Sequence, residues 1–93
     1  MRVPTIHING TSVTDLSAAY AEAYTMMNRA IEVVDQTVPN ARDYYPQGDT
    51  AYSEARCEHT ERMRKLVSVR NDMLTLFEAV EHGDFDASKK KGE

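Results

Sequence analysis

Polar and aromatic side chains concentrate in the segment NARDYYPQGD, residues 40 to 49. Arginine offers forked donors for a phosphate or carboxylate, and tyrosine offers a flat face for a planar ring or a cation. Carboxylate and amide groups can read a hydroxyl or the edge of a base. These residue types suit a small anionic, aromatic ligand. The candidate ligand-binding residues here are Arg42, Asp43, Tyr44, Tyr45 and Gln47, with Arg56 and His59 further along the chain.

The same residues have a simpler interpretation, in which they bind nothing. Arg42 and Asp43 would then form a local salt bridge, and the two tyrosines would pack the segment onto the rest of the protein.

A second polar cluster lies near the start of the chain, in the segment HINGTS, residues 7 to 12. A glycine turn with hydroxyls in front of a helix can present free backbone amides to an anion. The candidate binding residues are Asn9, Thr11 and Ser12. The alternative is an ordinary capped helix start, in which Ser12 is the N-cap and Asp15 completes a capping box.

The sequence gives little support for catalysis or for a bound metal. His7, His59 and His82 are far apart in sequence, and none stands at ligand spacing with a second ligand pair. Phosphate-loop, zinc-protease and serine-hydrolase motifs are missing, and Cys57 is a lone thiol. We therefore expect a protein that is not an enzyme and needs no cofactor.

Two long helical patterns flank the 40–49 segment and must position it. Small or apolar residues alternate at spacings of three and four from Val13 to Val34, and Pro39 limits this helix to about Val13–Val38. A second seam predicts a helix over about residues 50 to 82, with Gly83 as its stop. The second helix is about one heptad longer, so the arm, the loop or another subunit must cover its excess. Arg70 lies in this seam, where a buried arginine would need a partner; its side chain either lies along the stripe and reaches the rim, or pairs with an acid such as Glu32 or Asp35.

Composition narrows the class of protein. The chain has 93 residues, a net charge of −4 and 41% hydrophobic residues, which fits one folded domain and argues against a nucleic-acid partner. The start MRVPTIHING lacks the apolar core of a signal peptide, and no run is long enough for a membrane span. With one cysteine, these features favour a cytoplasmic protein without a membrane partner.

The sequence thus predicts an all-α fold: a long, coiled-coil-like antiparallel helical hairpin with a short extended N-terminal arm. Residues 1–82 would form one domain, and residues 83–93 a flexible polar tail. A lone hairpin has no second layer over its apolar stripes, so we expect a homo-oligomer. An antiparallel dimer would bring the arm of one copy to the loop of the other, which would make a composite site.

Together, HINGTS at residues 7–12 and ARDYYPQGD at residues 41–49 resemble a group of small proteins from tailed phages and prophages. Members share an H-[I/L]-N-G-T-S start and an R-D-Y-Y-x-Q centre, and the similarity covers roughly residues 5 to 82. The group has no assigned function, so the resemblance implies a phage origin and no catalytic role. A looser analogy is that some phage proteins that sequester nucleotide signals of bacterial defence are oligomeric helical hairpins, although this chain shows none of their motifs.

These observations favour a phage accessory protein in the cytoplasm of an infected bacterium. It would sequester a small nucleotide-type ligand, such as a bacterial immune signal, and so counter host defence. The alternative is a protein-interaction module, either a phage structural or assembly part or an inhibitor of a host protein, in which the tyrosines anchor an interface.

Overall fold

The computed structural model describes residues 1–82 and confirms the helical hairpin within them. Helix α1 spans Val13–Asp35, two short 3-10 turns follow at Ala41–Asp43 and Tyr45–Gln47, and helix α2 spans Ala51–His82. This part of the chain contains no strand, and residues 1–6 form an irregular arm. The molecule is elongated, with principal extents of 65 × 19 × 18 Å. The predicted polar tail, residues 83–93, lies outside the described residues.

Helix α1 begins where its capping residue predicts. Ser12 has extended backbone angles, and its Oγ accepts a hydrogen bond from the Asp15 N–H at 3.1 Å. This bond satisfies one of the amide groups that the first turn of a helix leaves without a partner. Among residues 1–82, no return bond joins Asp15 to the Ser12 backbone, so only half of the expected capping box forms.

Helix α1 ends three residues earlier than the predicted Val38. The backbone amides of Gln36, Thr37 and Val38 each donate to the carbonyl three residues before them, at 2.9 to 3.2 Å. These tighter bonds close the last turn. Pro39 explains the shortening, because a proline pushes the residue before it out of helical geometry.

The two helices run antiparallel, and polar contacts between them set the register. Arg70 Nη1 donates to Asn28 Oδ1 at 3.2 Å, while His59 Nε2 and Asp35 Oδ1 are 3.2 Å apart. A small cleft between the helices gives the same alignment; it is lined by Ala21, Tyr24, Thr25, Leu74 and Phe77. In this register the excess length of α2 lies at the loop end, where the second 3-10 turn contacts α2.

The polar α1 residues that contact α2, Asn28 and Asp35, lie beside the predicted seam, whose residues are all half-buried. Two apolar residues, Ala55 and Val80, and two polar ones, Ser17 and His59, are the buried residues of the described chain. A two-helix layer is too thin to bury more.

Arg70 pairs with neither Glu32 nor Asp35, and its half-buried side chain fits the alternative in which it reaches the rim of the seam. Its guanidinium binds the side-chain oxygen of Asn28 across the interface and that of Asn71 beside it, at 3.2 to 3.3 Å. Arg70 is only half-buried, so its charge keeps contact with water and needs no carboxylate.

Candidate functional site

The loop between the helices is built from two consecutive 3-10 turns. Asn40 caps the first turn, because its Oδ1 accepts a hydrogen bond from the Arg42 N–H at 3.0 Å. Pro46 fits the second turn, since its fixed φ suits the start of a helical turn. Gly48 then turns the chain towards α2 with φ 120° and ψ 171°, a conformation that a residue with a Cβ rarely adopts.

This loop presents most of its polar groups to solvent. Arg42, Asp43 and Gln47 are exposed, and Tyr45 is 72% exposed, while Tyr44 is half-buried. Within residues 1–82 no ion pair joins Arg42 to Asp43, so the salt bridge of the simpler interpretation does not form. Tyr45 likewise does not pack the loop onto the helices, whereas Tyr44 is partly enclosed.

Arg56 extends the same end of the molecule along α2. It is exposed, and its guanidinium carbon lies 5.8 Å from the centre of the Tyr52 ring one turn earlier. This cation–π contact holds the arginine against the helix surface while its donors stay in water. No carboxylate of the described chain forms an ion pair with Arg42 or Arg56.

His59 is placed differently from the other candidates. It is 5% exposed and faces α1, where its Nε2 meets the Asp35 carboxylate, while its Nδ1 is buried without a hydrogen-bond partner in the described chain. Sequence reasoning missed Asp35 as its partner. The antiparallel register could have identified Asp35, because it aligns the last turn of α1 with the third turn of α2.

The HINGTS cluster forms a tight turn in front of α1. The Gly10 N–H donates to the His7 carbonyl at 3.0 Å, and the His7 ring lies over Gly10 so closely that an added Cβ would stand 2.8 Å from its Nε2. Asn9, Thr11 and Ser12 are exposed, and the Ser12 hydroxyl is engaged by the helix cap.

The two candidate clusters do not meet within one chain. They lie at opposite ends of α1, whose 23 residues separate them by about 35 Å at ~1.5 Å per residue. The loop residues and Arg56 therefore lie towards the same end of the hairpin, whereas Asn9, Thr11 and Ser12 lie at the other end.

The remaining charged groups form ordinary surface pairs. The hydrogen bond from Arg64 and the nearby positive charge of Arg64 and Lys65 hold the pKa of Glu61 below its usual 4.5, and Glu61 Oε2 lies 2.5 Å from Arg64 Nη2. Both side chains are exposed on the helix surface, so the pair adds little to stability. Residues 1–82 contain no group of three or more histidine, cysteine or acidic side chains that could hold a metal ion. Neither described helix has the length and apolarity needed to cross a membrane.

No protein-family model, curated protein or solved structure matches this chain.

Proposed function

We propose that this protein is a non-enzymatic phage accessory protein that captures a small anionic ligand of the nucleotide type. Capture is itself the activity, because each bound molecule is withdrawn from the free pool of a host immune signal. The observation that carries the proposal is the loop end of the hairpin. Arg42 in the loop and Arg56 in the second turn of α2 are exposed and have no carboxylate partner in residues 1–82, and the loop also exposes the Tyr45 ring.

Each group has a distinct part in this proposal. Arg42 and Arg56 donate to phosphate oxygens, for which the planar guanidinium is well suited. Tyr45 offers its exposed face to the base, and Asp43 and Gln47 accept from or donate to sugar hydroxyls and base edges. Arg42 and Asp43 form no ion pair with each other, so ligand binding does not have to break one.

The test is a nucleotide-binding titration on the parent and on Arg42→Ala. Losing one charge-assisted hydrogen-bond group costs about 1.5–3 kcal/mol, so affinity should fall roughly 10- to 100-fold. Arg62→Ala is the matched control, since Arg62 is an exposed arginine of α2 outside the loop and should leave affinity unchanged. Equal binding by the parent, Arg42→Ala and Arg62→Ala would show that the site assignment is wrong.

A protein-interaction module is the second candidate, and exposed apolar side chains at the loop end favour it. Val38 is 54% exposed and Tyr45 is 72% exposed, which suits anchors for a protein partner. A nucleotide mixture separates the two functions. Saturation at 100 times the dissociation constant stabilises a binder by about 2.7 kcal/mol, which raises the melting temperature by roughly 10 °C or more. An interaction module should not respond.

A further inference from the structure

Helix α1 carries a second apolar stripe that α2 does not cover. Its members recur at alternating spacings of four and three: Ala19, Ala23, Met26, Ala30 and Val33. Met26 is 56% exposed and Val33 is 46% exposed, and none of the five is buried. This alternation is the pattern of a helix that packs against another helix along its length.

The stripe faces away from α2. Asn28 and Asp35 touch α2, and Met26 and Val33 stand two residues before them. Two residues are about 200° around a helix of 3.6 residues per turn, so the stripe lies on the far side. Helix α1 therefore carries exposed apolar residues beyond the face that meets α2, which is typical of a helix with a second neighbour.

We propose that this stripe is the docking surface for a second copy of the chain, with the two α1 helices antiparallel about a twofold axis between Ala23 and Met26. In that register no two large residues face each other. Leu16 lies opposite the partner's Val33, Ala19 opposite the partner's Ala30, and Ala23 opposite the partner's Met26. The alanine layers let the two helix axes approach closely.

Charge complementarity selects the second copy and its direction. Glu22 and Arg29 flank the stripe on one side, and the antiparallel register brings Glu22 to within two residues of the level of the partner's Arg29 on the same flank, in two symmetric pairs. A parallel pairing would instead place these charges opposite Met27 and Val34 of the partner, where they would have no counter-charge. Opposite charges in the antiparallel pairing and apolar neighbours in the parallel one favour the antiparallel dimer.

The dimer also joins the two clusters that one chain keeps apart. The same register places Ser12 of one copy opposite Thr37 of the partner, and so sets the Asn9–Ser12 turn beside the start of the partner's loop. Each of two equivalent ligand sites would then take donors from both chains. This consequence rests on the proposed function, whereas the dimer itself does not.

A charge-reversal cycle measured by sedimentation tests the interface. Glu22→Arg and Arg29→Glu each place like charges next to each other at both symmetric contacts, so each should weaken dimerisation by about 10-fold or more. The double variant should restore dimerisation. Glu32→Ala is the control, because it removes the 3.6 Å Arg29–Glu32 pair within one helix and lies off the stripe. A monomeric parent, or a double variant as weak as the singles, would overturn the proposal.

Met26→Glu separates the interface from the ligand site. Since Met26 is largely exposed, the variant should keep its helical circular dichroism and yet be monomeric. A helical Met26→Glu that still dimerises contradicts the interface, whatever it binds. If the parent forms dimers but binds none of a set of nucleoside mono-, di- and cyclic phosphates, the proposed interface stands and the proposed function is contradicted. Full nucleotide affinity in monomeric Met26→Glu would contradict only the two-chain site.

Discussion

At the residue scale, the contact between His59 and Asp35 shows how packing and charge share one position. The His59 side chain is 6% exposed, whereas the Asp35 side chain is 66% exposed, so water screens the carboxylate but not the ring. Exposed ion pairs contribute at most about 1 kcal/mol, while a buried ring also fills space between the helices. We infer that His59 stabilises the hairpin mainly by filling that space.

The burial of the His59 ring predicts different losses of stability for substitutions at His59 and at Asp35. His59→Ala should lower the free energy of unfolding by roughly 2–4 kcal/mol, since it leaves a cavity in a thin core. Asp35→Asn keeps an oxygen that can accept from the ring and should cost less than about 1 kcal/mol. Urea denaturation followed by circular dichroism measures both. Similar losses in the two variants would mean that the charge, and not the ring, carries the contact.

Among the helices, the capping residues and the proline and glycine residues of the sequence predicted most of the boundaries. The first helix begins at Val13 behind Ser12 as predicted, and the second begins at Ala51, within one residue of the expected start. These boundaries follow from local chemistry, which a sequence displays directly. Helix α1 ends three residues before the predicted Val38, because Pro39 marks where the helix must stop and not how many residues before it the last turn tightens.

The polar contacts between α1 and α2 could not be predicted in the same way. The apolar residues of α1 surround so much of the helix that the spacing alone does not select all of the residues that meet α2. Polar cross-contacts, such as Asn28 with Arg70, fix that face, and they depend on the register between distant segments. For the same reason the sequence identified the exposed loop residues, Arg42 and Tyr45, but not the burial of His59 against Asp35.

The backbone conformation of the loop at Gly48 favours glycine over residues with a side chain. An added Cβ would meet nothing within 4 Å, so any cost of Gly48→Ala comes from the backbone φ of 120°. A side chain in this conformation costs about 1–3 kcal/mol, and the midpoint of urea denaturation should fall accordingly. Ser53→Ala, an exposed change in the first turn of α2, should leave the midpoint in place. An unchanged midpoint for Gly48→Ala would mean that the loop adopts another conformation in solution.

At the scale of the whole molecule, the long thin shape is the dominant fact. A compact domain of about 100 residues has a radius of gyration near 13 Å, whereas this chain has 19.8 Å. Helices in stable domains bury their apolar stripes against a further layer, and here α1 keeps one stripe on its outer side. The proposed dimer supplies that layer and assembles the two polar clusters into shared sites, so stability and ligand capture would depend on the same contact.

Native mass spectrometry of the protein, purified gently from bacteria that produce a nucleotide immune signal, tests ligand capture most directly. We expect a dimer, or a higher oligomer built from it, that carries a small additional mass. That mass should disappear on denaturation and should be absent from Arg42→Ala, but present in Arg62→Ala. A bare oligomer from the same cells, together with no change in melting temperature in the presence of nucleotides, would contradict the proposed function.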